Sequence, residues 1–167
     1  MIMRAIAKLF AMDPTTWERH ANPWSAWTRL PVLPLICLAI WAREWIGAWC
    51  LLPLGLLALW TWINPRAFPP PVSTRSWSAR AVMGERVWLN RQNVAIPRHH
   101  AVWAGLLSFG PALGMAPLIW GLWALQIWPL ILGLIVVLGG KLWFLDRMVW
   151  LYDDMARQHP DYAAWLR

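Results

Sequence analysis

The chain has 167 residues, of which 59% are hydrophobic and only 14% are charged. A soluble domain carries about a quarter charged residues, so this composition, with a mean hydropathy of +0.42, excludes an ordinary water-soluble domain. The net charge is +7, but the basic residues lie beside apolar stretches and form no nucleic-acid-binding motif. We therefore expect the charge to face anionic lipid headgroups and expect no nucleic-acid partner.

Residues 1–23 are predicted to be an N-terminal segment at the membrane surface. Residues 1–12 place apolar side chains on one helical face and cations on another, which is typical of an interfacial helix. Asp13 followed by Pro14 has the pattern of an N-cap and a first helical residue. This pattern predicts a short helix that runs through His20 and ends before the next proline.

Residues 24–63 are predicted to form a first helical hairpin. Between Leu30 and Ile63 the only charged residues are Arg43 and Glu44, and a tight turn there gives two spans. The first arm covers only ~20 Å as a helix, against ~30 Å of hydrocarbon core, so it must borrow residues that precede it. A re-entrant hairpin is the alternative, and both versions return the chain to its starting side.

Residues 64–100 are predicted to be a basic cytoplasmic loop. The loop opens with a proline run at residues 69–71 and then carries arginine repeatedly. A helical spacing of i, i+4, i+7 and i+11 within it predicts an amphipathic helix that lies on the membrane or docks against the bundle. The residues with this spacing are Trp77, Ala81, Gly84 and Trp88.

Residues 101–158 are predicted to form a second helical hairpin. Residues 101–140 contain no Asp, Glu, Lys, Arg or His, and would extend ~60 Å as one helix, twice the ~30 Å core. We expect a third span from about Val102 to Trp123 and a fourth from about Trp128 to Leu145, continuing into water as far as about residue 158. The prediction is one all-α membrane domain over residues 1–167, with four transmembrane helices in two hairpins.

The distribution of cations predicts the orientation. In this arrangement fourteen of the fifteen Lys and Arg residues fall on one side of the membrane and only Arg43 falls on the other. Because cytoplasmic segments carry the excess of Lys and Arg, both termini and the long loop are predicted to be cytoplasmic.

Acidic side chains at the inner end of the fourth span are the best candidates for chemistry. Helical spacing puts Asp146 and Asp153 on one face, and carboxylates at membrane depth tend to face partners inside the bundle. The expected partner of Asp146 is Arg86 or Arg80. One interpretation is an ion-pair network that latches the loop helix to the fourth span, and another is a site whose carboxylates carry protons or bind a metal together with histidine. The candidate polar cluster comprises Glu85, Arg86, Asp146, Arg147, Asp153 and His20.

The sequence assigns no metal ligand, and the cofactor is unknown. His99 and His100 are adjacent, and neighbours on a helix point about 100° apart, so they offer no ready chelate. Cys37 and Cys50 both fall within apolar runs and are interpreted as packing residues.

Tryptophan accounts for 17 residues, and many of them fit an interfacial belt. Trp49, Trp60 and Trp120 are predicted to lie deeper. They are candidates to line a site for a flat apolar ligand such as a quinone, porphyrin, carotenoid or sterol. Ordinary packing is the alternative interpretation.

Four segments carry a resemblance to a family of small Trp-rich bacterial integral membrane proteins that bears only a domain-of-unknown-function label. The segments are His20–Arg29, Asn64–Arg66 with its proline run, Gly84–Asn90 and Gly140–Trp150. The resemblance implies a uniform membrane fold, in a cell inner membrane, and supplies no chemistry.

The resulting functional hypothesis is a membrane-embedded accessory subunit of a larger complex, or a binder of an apolar small molecule. The alternative is a membrane enzyme or metal protein that uses an inner-face His/Asp/Glu cluster. Nucleophile motifs, phosphate-binding glycine loops and dinucleotide fingerprints are absent from the sequence, so an enzymatic role has no positive support.

Overall fold

The computed structural model describes residues 13–167, which are helical with no β-strand among them. The predicted interfacial helix over residues 1–12 lies outside this range. Helix α1 (Pro14–His20) begins where predicted, because the Asp13 carboxylate accepts a hydrogen bond from the Thr16 backbone N–H at 2.7 Å. Helix α2 (Pro23–Trp27) follows, and the side chain of Asn22 caps it.

The first hairpin has two arms that pack against each other, α3 (Val32–Trp41) and α5 (Leu51–Ala67). The predicted tight turn at Arg43 and Glu44 is wrong in detail. The chain reverses through a short helix, α4 (Arg43–Ile46), and a 3₁₀ turn (Gly47–Cys50). Gly47 has a φ of +53° between them, a conformation that glycine adopts without a steric penalty.

Within residues 13–167, three stretches are long and apolar enough to cross a membrane, not the four that were predicted: Pro23–Ala67, Arg98–Ala124 and Ile127–Gln158. The difference lies in the first hairpin. Its arms α3 and α5 have 10 and 17 residues, or ~15 and ~25 Å of helix, so each is shorter than a ~30 Å hydrocarbon core.

The second hairpin pairs the two longest helices, α7 (Arg98–Ala124) and α8 (Ile127–Gln158). Helix α8 continues beyond its apolar part, as predicted. The two helices approach closely at glycines: a Cβ on Gly121 or on Gly133 would come within 2.5 Å of a backbone nitrogen of the facing helix. The connection passes through Leu125, whose φ of +53° lies in the left-handed region.

The two hairpins contact each other near their turns. Cys37 of α3, 2% exposed, packs among leucines of α7 and α8, as its interpretation as a packing residue predicted. The Arg43 guanidinium donates hydrogen bonds to the carbonyls of Leu122 at 2.6 Å and Trp123 at 3.3 Å. These belong to the last carbonyls of α7, which lack partners within their own helix. The one cation predicted on this side therefore caps α7.

The basic loop contains the predicted amphipathic helix, α6 (Trp77–Asn90), and this helix docks against α8. Its buried residues and those of the α8 extension form the main hydrophobic core, which α9 (Pro160–Ala163) closes through Tyr162. The backbones of α6 and α8 approach closely at Gly84, where a Cβ would lie 1.9 Å from the Met148 carbonyl oxygen.

Candidate functional site

Three polar side chains of α6 pair with side chains of α8. These contacts are Arg80 with Asp153 at 2.8 Å, Trp77 with Asp146 at 3.0 Å and Glu85 with Lys141 at 2.8 Å. Two of these contacts are ion pairs, and together with the buried core they join α6 to α8. We call this end of the bundle the polar layer. It comprises α6, the Lys141–Gln158 part of α8 and four residues linked by hydrogen bonds, His20, Ser25, Thr28 and Asn64.

Asp146 has a different partner from the one expected. The Trp77 indole N–H donates to it, while Arg80 reaches Asp153 instead. The Arg86 guanidinium lies 4.2 Å from the ring centroid of Trp165.

Arg147 is also held by aromatic rings. Its guanidinium lies 5.2 Å from Trp103 and 4.8 Å from Trp150, a cation–π arrangement. The two predicted arginines of the polar cluster therefore contact tryptophan rings, whereas Glu85 and Asp153 pair with cations and Asp146 accepts from an indole N–H.

A chain of hydrogen bonds between uncharged side chains lies under α6. His20 Nδ1 is 3.1 Å from Ser25 Oγ, Ser25 Oγ donates to Asn64 Oδ1 at 2.9 Å, and Asn64 Nδ2 donates to Thr28 Oγ1 at 2.9 Å. Because Ser25 donates to Asn64, it accepts from His20, so Nδ1 of His20 carries the hydrogen. His20 is 4% exposed, and Ser25 and Asn64 are fully buried.

Burial holds the pKa of His20 well below its usual range, and the nearby cations Arg29 and Lys141 add to the effect. The imidazole is neutral as a result. His20 thus belongs to the Ser25–Asn64 chain and not to a cluster with Asp146 and Asp153. Ser25 beside His20 has the composition of a nucleophile pair, but a fully buried hydroxyl cannot meet a substrate.

A second histidine cluster lies where α7 begins beside the α8 extension. His100 Nε2 is 2.7 Å and His99 Nε2 is 3.9 Å from the same Asp154 Oδ2. The imidazole rings of the two histidines lie 4.1 Å apart, so the expected divergence of adjacent histidines does not occur. Arg157 pairs with the other oxygen of Asp154.

Sequence reasoning missed Asp154, Ser25, Thr28 and Asn64. Asp154 follows Asp153 directly, and a sequence alone does not show which of two neighbouring carboxylates faces a histidine 54 residues away. Asn64 gave a usable signal, since it is an uncharged polar residue at the end of the apolar run Leu51–Ile63, and polar groups within apolar spans tend to face partners.

The three predicted deep tryptophans lie apart from one another. Trp49 is 76% exposed beside the turn of the first hairpin, and Trp120 is 50% exposed on α7. Trp60 is half-buried on α5 and its indole N–H lies 3.4 Å from the Thr28 carbonyl. None of them lines the groove between α3 and α5 or the cavity between α1 and α6, so their role in ligand binding stays a prediction.

Two cavities differ in chemistry. A shallow groove of about 460 Å³ between α3 and α5 is largely open to its surroundings. It is lined by Leu35, Leu38, Ala39, Pro53, Leu56 and Leu57. A smaller cavity of about 80 Å³ lies in the polar layer between α1, α6 and the residues after α9, with Glu18, Arg86 and Trp165 in its wall.

The model of a family described as a family of unknown function (DUF6653) matches residues 1–166. The chain belongs to this family. The predicted resemblance is thereby confirmed at the level of family membership, and the family description assigns no activity. No curated protein and no solved structure matches the chain.

The four segments on which the family resemblance was based meet in the polar layer. Ser25 of the first bonds to Asn64 of the second, and Gly84 of the third contacts Met148 of the fourth. Each of the four segments therefore contacts another of them in the polar layer.

Proposed function

We propose that this chain is an integral protein of a bacterial inner membrane that binds an apolar molecule of the bilayer, as an accessory component and not as a catalyst. Four helices, α3, α5, α7 and α8, enter the bilayer, and α6 lies in the cytoplasm. Large apolar side chains on the outward faces of these four helices support their insertion in the bilayer, because burying such surface in hydrocarbon is favourable by ~25 cal/mol per Å². Examples are Leu38 at 65%, Leu52 at 62%, Leu113 at 76% and Ile135 at 64% exposed.

The observation that carries the proposal is the groove between α3 and α5. Its volume of about 460 Å³ falls within the ~300–1,000 Å³ of small-molecule sites. Every residue in its wall is aliphatic or proline, so it offers hydrocarbon contact and no polar recognition. An acyl or isoprenoid chain fits this chemistry better than the flat aromatic ligands that tryptophans would select.

The groove lies on arms whose other exposed side chains are also apolar, so its open side faces the bilayer under this proposal. A lipid-borne ligand then enters laterally, without crossing the polar layer.

The test is mass spectrometry of molecules that copurify with the full chain in detergent-free native membrane particles. Leu38→Trp fills the groove, and Leu113→Trp is the matched control, since it changes a leucine on α7 that is also largely exposed. We expect one apolar species enriched over the bulk lipid with the wild type and with the control, and lost with Leu38→Trp. Bulk lipid composition in all three samples would refute the proposal. A stoichiometric protein lost only with Leu38→Trp would assign the groove to a partner subunit instead.

A further inference from the structure

We propose that His99, His100 and Asp154 form a binding site for one divalent transition-metal ion, of which Zn²⁺ is the representative. Their donor atoms all lie within 4.8 Å of one another. Two imidazole nitrogens with one carboxylate form a ligand set found in catalytic zinc sites and in iron sites with open positions.

The distances require only small movements to hold an ion. Ligands at ~2.0–2.2 Å from Zn²⁺ in tetrahedral geometry place their donor atoms ~3.4 Å apart. The present distances to Asp154 Oδ2 are 3.9 Å from His99 and 2.7 Å from His100. These two distances must change by less than ~1 Å, and the distance between the two imidazole nitrogens, which is at most 4.8 Å, by up to ~1.4 Å. Side-chain rotation provides movements of this size.

Two of the three ligands are fixed by the surrounding fold. His100 is 4% exposed in the first turn of α7, and its neighbour Ala101 packs on the main core. Asp154 lies on α8 between Leu151 and Met155, both fully buried. The helix that carries the carboxylate therefore cannot turn away from the histidines without disrupting the core.

The third ligand leaves the site open on one side. The side chain of His99 is 65% exposed, so an ion held by the three residues would keep a coordination position that water can reach. A site with three protein ligands and one water is the arrangement of catalytic zinc, whereas structural zinc sites are closed by four protein ligands.

Arg157 and the N-terminal end of α7 are the groups that oppose a dication here. Arg157 contacts Oδ1 of Asp154, whereas the histidines approach Oδ2. An ion can therefore occupy Oδ2 while Arg157 stays on Oδ1. In that position Arg157 orients the carboxylate, as outer partners of metal ligands do.

The experiment uses the full chain purified in detergent with an affinity tag that contains no histidine, stripped with a chelator and titrated with Zn²⁺ and with Co²⁺. We expect one equivalent of tightly bound ion by elemental analysis after desalting, and visible ligand-field bands with Co²⁺. A large excess of Mg²⁺ should not displace the ion, because Mg²⁺ prefers oxygen ligands.

Variants decide whether the three residues are the ligands. His99→Ala and Asp154→Asn should each weaken binding by more than the roughly 10–100-fold that loss of an outer partner costs. His159→Ala and Asp153→Asn are matched controls outside the cluster and should bind as the wild type does. His99 is largely exposed, so its variant keeps the wild-type helix content and the comparison remains valid even if Asp154→Asn folds poorly.

Substoichiometric metal in the wild type would overturn the site. Binding that survives in His99→Ala would also overturn it, because the ion would then be held elsewhere or by fewer than three residues. Equal losses in the control variants would show adventitious surface binding and would have the same consequence.

Discussion

At the scale of single residues, the uncharged polar side chains of the polar layer are buried more completely than its ion pairs. Ser25 and Asn64 have no exposed surface, so each would cost ~1–3 kcal/mol if it lost its hydrogen-bond partner. The Arg80 and Asp153 side chains are 33% and 38% exposed, and exposed pairs contribute ~1 kcal/mol or less. The hydrogen bonds that link His20, Ser25, Asn64 and Thr28 therefore contribute more to the stability of this end of the bundle than the Arg80–Asp153 ion pair does.

His20 makes this stability depend on pH in a defined direction. Its pKa is held well below the usual range by burial, with Arg29 and Lys141 adding to the effect, whereas in the unfolded chain the imidazole titrates near ~6.5. Below that pH the unfolded state binds more protons than the folded state, so the free energy of unfolding falls. We expect a constant unfolding temperature above about pH 6.5 and a progressive decrease below it, measured by circular dichroism in detergent.

The variant His20→Asn tests the assignment of this decrease. Its amide N–H can replace the Nδ1 donor to Ser25, and it does not titrate in this range. We expect the unfolding temperature to decrease less with falling pH for His20→Asn. The control His159→Asn should show the full decrease, because His159 is not part of the hydrogen-bonded chain from His20 to Thr28. Identical pH profiles for wild type and His20→Asn would assign the acid sensitivity to other groups.

The sequence predicted the charged members of the polar layer better than the neutral ones. Carboxylates such as Asp146 and Glu85 stand out because few charges occur in this chain, and their pairing across helices follows from the cost of leaving them alone. Ser25 and Asn64 are separated by 39 residues and have no spacing that links them. Their contact depends on how α2 and α5 cross, which is a property of tertiary packing.

At the scale of helices, local signals were sufficient where capping or length decides the structure. Asp13-Pro14 predicted the start of α1, the helical spacing from Trp77 to Trp88 predicted α6, and the uncharged stretch predicted α7 and α8. The helix bounds of the first hairpin were harder to predict, because α3 is stabilised by contacts with other helices and is too short to be stable alone. A ten-residue helix is marginal in isolation, so its extent depends on packing against α5 and α7.

Gly84 is the residue on which docking of α6 depends. A Cβ there would lie 1.9 Å from the Met148 carbonyl oxygen, and that backbone atom cannot rotate away. Gly84→Ala should move α6 off α8 and lower the free energy of unfolding by about 3 kcal/mol or more, at or above the upper end for overpacking. Denaturant unfolding in detergent, followed by tryptophan fluorescence, measures the loss.

Gly139→Ala is the control for this prediction. Gly139 lies on α8, and a Cβ there meets nothing within 4 Å, so alanine should be neutral or stabilise the helix by up to ~1 kcal/mol. Equal stabilities for Gly84→Ala and Gly139→Ala would show that the α6–α8 contact is looser than described here.

At the scale of the whole molecule, the two hairpins contact each other near their turns and are linked through α1 and α6 at the other end. Near the turns, Arg43 of the first hairpin bonds to the last carbonyls of α7. At the other end the link is indirect: α1 packs against α5 and also, through Ala21, Ala79 and Val82, against α6, which docks on α8. The turn of the first hairpin therefore lies at the level of the Leu125–Gln126 turn, although α3 itself is short.

This shared level gives a prediction about topology. If the α7–α8 hairpin crosses the bilayer, the first hairpin crosses it as well. Cysteines introduced at Ala48 and at Gln126, in a background without Cys37 and Cys50, should then both react with a membrane-impermeant maleimide from outside the cell. Reporter fusions after Pro70 and after Arg167 should be cytoplasmic, because cations concentrate on that side. Labelling at residue 126 without labelling at residue 48 would make the first hairpin re-entrant. An exported fusion after Pro70 would refute the return of the first hairpin to its starting side, and with it the arrangement of four helices.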